Sequence, residues 1–483
     1  MNYDKPLHRQ KPMHTVEKIG GTSMSNYQAV RDNVILNCAS PYQRAFVVSA
    51  YGGITDALLE HKKSGKAGVF ALFANDQDWQ AGFDTLRDTL FDINHGLFDN
   101  EIQRQQADRF IGERLDSARQ CLENLQRLCE HGHFALAQHL NTVREMLASI
   151  GEAHSAWNMA ALLRNDGINA RFVDLTAWQS EDHLPLDQRI ESAFADIDFA
   201  TELPIVTGYA HSEQGLMRTF DRGYSEMTFS RIAVLTQARE AVIHKEFHLS
   251  SADPRVVGEH NAVPIGRTNY DVADQLANLG MEAIHPKAAK GLRQNAIPLR
   301  VKNTFEPEHN GTLITGNYVS GEPCVEIIAG CKGVYALEVF DQNMAGELIE
   351  FDTKLLAIFR DFNVKVITKD ANANSFTYYL NTNLKILKRL CRSVEAQFPE
   401  AEVTHQKVAI VSAIGSDLNI PGMLAKTVKA LADNHISVLA LHQSMRQVDM
   451  QFVVNEADYE GAIQGMHRAL VEIHDHGRAI CLA

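Results

Sequence analysis

"TVEKIGGTSM", residues 15–24, decides how this chain is read: an alternating run lifts a lysine to two glycines, and a threonine and a serine follow at once. Working outward, residues 15–60 continue as strand, turn, helix, strand, turn. "HTVEKIG" alternates, and Tyr27, Val30, Val34 and Cys38 then fall on one face at helical spacing. "RAFVVSAYGG" (44–53) is an apolar strand that ends on a second glycine turn. Strand, helix, strand in this order predicts a parallel sheet covered by helices.

Two glycines at the C-terminal end of a strand let backbone N–H groups approach a ligand closely, and the helix that follows turns its positive end to the same place. Phosphate is the natural guest. Lys18 supplies a mobile cation able to follow a phosphoryl group, and Thr22 and Ser23 supply hydroxyls beside Gly20 and Gly21. The same residues also suit an ordinary strand-to-helix turn with Ser23 or Ser25 as N-cap. Neither a Walker loop nor a dinucleotide GxGxxG is present. The second turn, "SAYGGITD" (49–56), places Gly52 and Gly53 at a neighbouring strand end, and adjacent strand ends in such a sheet converge on one crevice. "TFDRGYSEMTFSRIAVL" (219–235) is a third loop leading into a helix. Its Arg222 can grip a carboxylate or phosphate in a bidentate pair, or pair with Asp221 or Glu226.

The 483 residues exceed what one core supports, and 45% hydrophobic with 22% charged residues are globular values. A formal net charge of −14 argues against nucleic acid as a partner. No apolar run approaches membrane-spanning length and the N-terminal "MNYDKPLHRQKPM" lacks the apolar middle of a signal peptide, so no membrane role and a cytoplasmic location are expected. Seven cysteines (38, 121, 129, 324, 331, 391 and 481) stand singly and read as reduced core residues, and "HGH" (131–133) reads as a solvated turn. Residues 57–164 read as a run of helices. Beyond 320 two stretches, 333–380 and 408–454, share one plan of strand, glycine-opened helix, strand, turn, strand, a repeated α+β module.

"KIGGTSM" resembles the KFGGTS motif of the aspartate kinases in the amino-acid kinase superfamily. "VVSAYGGITD", "SIGEAHSA", "DRGYSEMT", "ADPRVV", "HPKA" and "VKNTFEPEHNGTLI" resemble, in order, further motifs of that family over essentially the whole chain, and the repeats resemble its two ACT modules. The resemblance implies an α/β amino-acid kinase domain at 14–315, with a mainly parallel sheet sandwiched by helices, followed by α+β ACT modules at 325–395 and 405–483. It implies transfer of the γ-phosphoryl group of ATP, with Mg²⁺, to the side-chain carboxylate of L-aspartate. By residue, it assigns Lys18 and Glu226 to catalysis, and Ser49, Thr55, Glu152, Arg222 and Ser225 to aspartate. Gly20, Gly21, Thr22, Ser23, Gly52, Gly53, His244, Lys245 and Arg255 are assigned to ATP. From the residues alone, Glu152 follows Gly151 at what reads as a helix start, where a carboxylate also serves as a cap, and Arg255 also reads as half of a loop ion pair.

Three departures from the family pattern stand out. GRGGSD becomes "DRGYSE", which brings in Tyr224 and Glu226; the adenine-side segment becomes "HKEFHLSSADPR" (244–255); and the ATP-facing lysine of GAKxxHP becomes Glu282. Lys245, Lys287 or Lys290 can restore the positive charge. The departures resemble the aspartate kinases associated with ectoine synthesis. A catalytically decayed ACT sensor is the competing reading. The resemblance further implies a homodimer through the ACT modules and a lysine or threonine effector near Asn343, Met344, Gly346 and Asp370.

Overall fold

A computed structural model describes residues 14–61, 64–220, 223–281 and 283–473. Arg222, Asp221, Glu282 and Cys481 therefore lie outside the described residues. The chain forms two compact units. One runs to His248 and resumes over Ile284–Gly316, and the other joins Leu249–Ala283 to the chain from Asn317 onward. Residues 249–283, which the sequence boundaries put inside the kinase domain, thus pack with the C-terminal repeats.

In chain order the first unit contributes β1 (Thr15–Ile19), β2 (Arg44–Val48), β3 (Ala170–Val173), β4 (Leu203–Thr207) and β5 (Glu240–Lys245). β6 (Arg267–Asn269) falls in the second unit, and β7 (Leu299–Asn303) and β8 (Thr312–Thr315) return to the first. The first-unit strands lie in the order β3-β4-β2-β1-β5-β7-β8, parallel throughout except for β8. The short apolar strands suit a parallel sheet buried on both faces. All five residues of β1 are buried. Its alternation is therefore not an inside–outside pattern: Glu17 faces one side of the sheet and Lys18 the other.

Long helices over Trp79–Leu97, Glu101–Cys129 and Leu140–Asn165 fill the expected helical region, the first two capped by Asp78 and Asn100. After β1 the chain differs from the simple helix read in the sequence. Two short helices lead into a π-helical turn, Val30–Ile35, which buries Val30 and Val34. Cys38 lies beyond that turn, whose C-cap is Leu36, and is exposed. The cysteines correct the sequence reading more generally, since only Cys391 of the six described is buried.

In the second unit each repeat runs strand, helix, strand, strand, helix. The first uses β9 (Ile327–Phe340), β10 (Lys365–Ala371) and β11 (Ser375–Asn381); the second uses β12 (Glu402–Ile414), β13 (Ala440–Gln443) and β14 (Asp449–Asn455). Gly346 and Gly422, with φ of +91° and +83°, sit where the first helix of each repeat begins. β9 pairs antiparallel with β12, so the repeats share one sheet of order β10-β11-β9-β12-β14-β13. One face of each half packs on its own helices. The other face takes Val272, Leu276 and Leu279 from the 249–283 segment. The sheet curves strongly enough to bring Asp370 of β10 within 3.3 Å of His442 of β13.

Candidate active site

Neighbouring strands β1 and β5 connect onward in opposite directions across the sheet, and a ligand crevice forms outside the C-terminal ends of strands at such a reversal. Backbone hydrogen bonds join these ends: Gly20 N–H donates to the His244 carbonyl at 3.3 Å, and Ser49 N–H to the Ile19 carbonyl at 3.2 Å. The two glycine turns meet here. A Cβ on Gly21 would lie 2.6 Å from the Ala50 carbonyl oxygen, and Gly52 N–H donates to Ser25 Oγ at 2.8 Å. Gly53, at φ +82°, starts the helix Ile54–Leu58 and sets Thr55 in its first turn. Thr22 is exposed, whereas Ser23 turns inward, is fully buried and accepts a 3.1 Å hydrogen bond from Thr304. The Ser23 hydroxyl thus serves the packing, and neither serine caps the helix at Gly21, whose N-cap is Gly20.

On this side of the sheet Lys18, 7% exposed, reaches Glu226 at 3.9 Å. Glu226 lies in the first turn of the helix Tyr224–Leu235, where the helix dipole favours an anion, and it accepts the His285 N–H at 2.5 Å. Glu152 approaches from the middle of Leu140–Asn165, not from a helix start, so capping does not explain it. It is 2% exposed, and its Oε2 has no hydrogen-bond partner among the described residues. Burial pushes its carboxyl up to about 8, against the opposing pull of Lys18, the Tyr224 hydroxyl and the Tyr209 and Ala50 amides. A Cβ on Gly208 would fall 2.9 Å from Ser225 Cβ and 3.1 Å from Glu152 Cδ. Only a glycine there leaves room beside these two side chains.

Tyr224 was legible as a departure, a bulky residue where the family has glycine, but not as a site residue. It is buried, and its hydroxyl hydrogen-bonds to Glu152 and Thr55. Burial, then Glu152, raises its phenol far above the usual range, so the hydroxyl stays a donor.

The opposite face of the sheet carries a second charged group. Glu17 accepts both Nε and Nη2 of Arg44, at 2.7 and 2.8 Å, and lies 2.7 Å from His244 Nε2. The His244 imidazole therefore points away from Lys18, which corrects its assignment to ATP; only its carbonyl faces the glycine turn. Burial would raise the Glu17 carboxyl, but Arg44 and His244 hold it well below its ordinary 4.5. A depressed carboxyl contributes stability above its unfolded value, and that contribution is lost as pH falls below about 4.5. Arg44→Ala leaves the buried carboxylate short of its partner, so we expect a loss of about 3–5 kcal/mol in urea unfolding at pH 7 and a smaller acid-induced loss than in wild type.

Lys245 follows His244 and, by strand alternation, projects to the Lys18 side. Arg255 lies in the second unit, 89% exposed and paired with Asp253 at 2.8 Å. In the C-terminal repeats, Met344 is fully buried in its module core and is not open to an effector. Asn343 donates to Glu400, and Asp370 accepts the Tyr379 hydroxyl. No helix among the described residues is long and apolar enough to cross a membrane.

A doubly covered parallel sheet, two touching glycine turns and a buried lysine between two carboxylates define a small-molecule phosphotransferase. The amino acid kinase family profile matches residues 13–303, and an ACT domain profile matches residues 403–468. A protein of Stutzerimonas stutzeri (strain A1501), named aspartate kinase Ask_Ect, is 55% identical over 477 residues, covering 98% of this chain and 100% of that one. The fold is shared with the aspartate kinase of Clostridium acetobutylicum, at a TM-score of 0.71 and 20% identity over 94% of this chain and 100% of that one. It is also shared with E. coli aspartokinase III in complex with lysine and aspartate, at 0.70 and 21% identity over 95% and 99%. This chain belongs to the amino acid kinase family and, within it, to the aspartate kinases.

Proposed function

We propose that Lys18, Glu152 and Glu226 form the working centre of an enzyme that phosphorylates the side-chain carboxylate of L-aspartate with ATP, giving 4-phospho-L-aspartate. The observation that carries this reading is the buried, unpartnered Glu152 oxygen beside Lys18. A carboxylate held in a dry pocket invites a cation, and the ammonium of an amino acid is one. Thr55, through Tyr224, and Ser225, beside Gly208, adjoin Glu152, and Ser49 sits at the end of β2 next to Ile19, which suits their assignment to aspartate; Arg222 is assigned to the substrate carboxylate by its motif alone.

The acceptor carboxylate is ionised at neutral pH, so the reaction needs no general base. One of its oxygens bonds to the γ-phosphorus as the bond to the β–γ bridging oxygen breaks and ADP leaves. Gly20 and Gly21 supply close backbone approach to the phosphates, Gly52 and Gly53 hold the neighbouring turn, and Lys18 follows the moving charge while Glu226 fixes the lysine. Lys245 adds positive charge on the same face. Mg²⁺, when bound, would neutralise phosphate charge, with few protein ligands needed.

The intact Lys18, Glu152, Ser225 set favours catalysis over a decayed sensor. The likeness to Ask_Ect supports supply of an ectoine-type solute in addition to the aspartate-family amino acids. We assign the enzyme to the cytoplasm as a homodimer through the ACT modules, with lysine or threonine as effector. The kinase and ACT spans of 14–315, 325–395 and 405–483 are carried with that reading. Hydroxylamine trapping tests it: aspartyl hydroxamate should form only with ATP, Mg²⁺ and aspartate together, and amino-acid binding without any turnover would favour the sensor.

Tyr224→Phe removes a hydrogen bond that lowers the Glu152 pKa. The rising limb of kcat/KM for aspartate should therefore move about one pH unit higher, measured as a pH profile beside wild type.

A further inference from the structure

We propose that the kinase unit carries a second anion site, for a phosphoryl-type oxyanion, in a polar cavity on the sheet face opposite Lys18. The cavity holds about 530 Å³, within the range of small-molecule sites. Its floor is the Thr15 and Glu17 side of β1, continued by His244 on β5 and by Arg300 and Lys302 on β7. In register, His244 lies beside Lys302 and Val242 beside Arg300, and residues two apart on one strand face the same way, so Arg300 and Lys302 both face this cavity.

Four basic side chains line this space, Arg44, Arg239, Arg300 and Lys302, against two carboxylates, Glu17 and Glu240. Two of the cations are committed. Arg44 grips Glu17 and the carbonyls of Val34 and Ile35, and Arg300 holds Glu240 and the Asn310 carbonyl. The side chains of Arg239 and Lys302 make no hydrogen bond or ion pair among the described residues. Lys302 is half-buried, and burial, then Arg300 and Arg44, pull its ammonium down against the attraction of Glu17. A desolvated lysine facing Arg300 and Arg44 is unfavourable by itself, and an anion bound beside Lys302 offsets that repulsion. The π-helical turn Val30–Ile35 forms part of the wall through Asn33 and Val34, and such turns recur at functional sites. The volume and polar, cation-rich lining fit phosphate or a small phosphorylated metabolite.

Tungstate-soaked crystals locate the site, and phosphate titration at constant ionic strength measures it. We expect an anomalous peak within contact of Lys302 Nζ. Phosphate at about a hundredfold over its Kd should raise Tm by about 5 °C in wild type and in Lys18→Met. Lys302→Met should lose most of that rise while remaining folded, and sugar phosphates in place of orthophosphate distinguish a metabolite from the free ion. A tungstate peak confined to the Lys18 crevice, or a full phosphate response in Lys302→Met, overturns the proposal. Either result leaves the kinase reading untouched.

Discussion

Lys18→Met lowers kcat for aspartate phosphorylation by about 10³-fold or more, with a much smaller change in KM for aspartate. The lysine sits in a pocket that water barely reaches, between a carboxyl whose pKa is raised and a carboxylate anchored to a helix start. A cation in such surroundings needs no reorganisation when charge develops on the transferring phosphoryl group, and its effect is not screened as it would be in water. Methionine keeps the length and the apolar stem, so the fold should survive. Loss of the cation also removes an attraction that lowers the Glu152 pKa, so aspartate binding in the variant should require higher pH than in wild type. Steady-state kinetics from pH 6 to 9 read both effects.

Glu152→Gln reduces kcat/KM for aspartate by about 10²-fold, chiefly through KM, because the amino group then meets a neutral amide in a buried pocket. The pH dependence carries the sign. In wild type the carboxyl is protonated below about 8, and only its ionised form pairs with the substrate ammonium, so kcat/KM climbs as pH rises toward 8. In Glu152→Gln that climb disappears between pH 6 and 8. Stability follows the opposite course: a carboxyl raised by burial stabilises the fold fully below 4.5, and that contribution is lost as pH rises through about 8, a loss the glutamine variant does not show.

The sheet and its crevice were legible because glycines and β-rich apolar runs are local signals. The turns at Gly20–Gly21 and Gly52–Gly53 carry their chemistry in a few consecutive residues. Glu17 was not legible in the same way. Its partners, Arg44 and His244, lie far away in sequence, and only the parallel register of β1, β2 and β5 brings them together. His244 was misassigned for that reason, since its neighbours in sequence say nothing about which face it takes. Glu152 was found through its motif, yet its setting in the middle of a helix buried nearly all round was hidden, because "SIGEAHSAWNMAAL" has no polar face to phase it against. The 249–283 segment looked continuous with the kinase domain. Its apolar side chains gave no hint that they cover the sheet of the C-terminal repeats. Tyr224 announced itself only as an exception, and its role emerged once its hydroxyl was seen on Glu152.

The oxygen that moves in the transfer can be followed directly. Aspartate labelled with ¹⁸O in its side-chain carboxylate is turned over with ATP and Mg²⁺, and the acyl phosphate is cleaved with hydroxylamine, which attacks carbon and leaves the bridging oxygen on phosphorus. One ¹⁸O is expected in each phosphate released, in an amount equal to the ADP formed. Unlabelled phosphate, or ADP formation that does not depend on aspartate, would contradict aspartate phosphorylation.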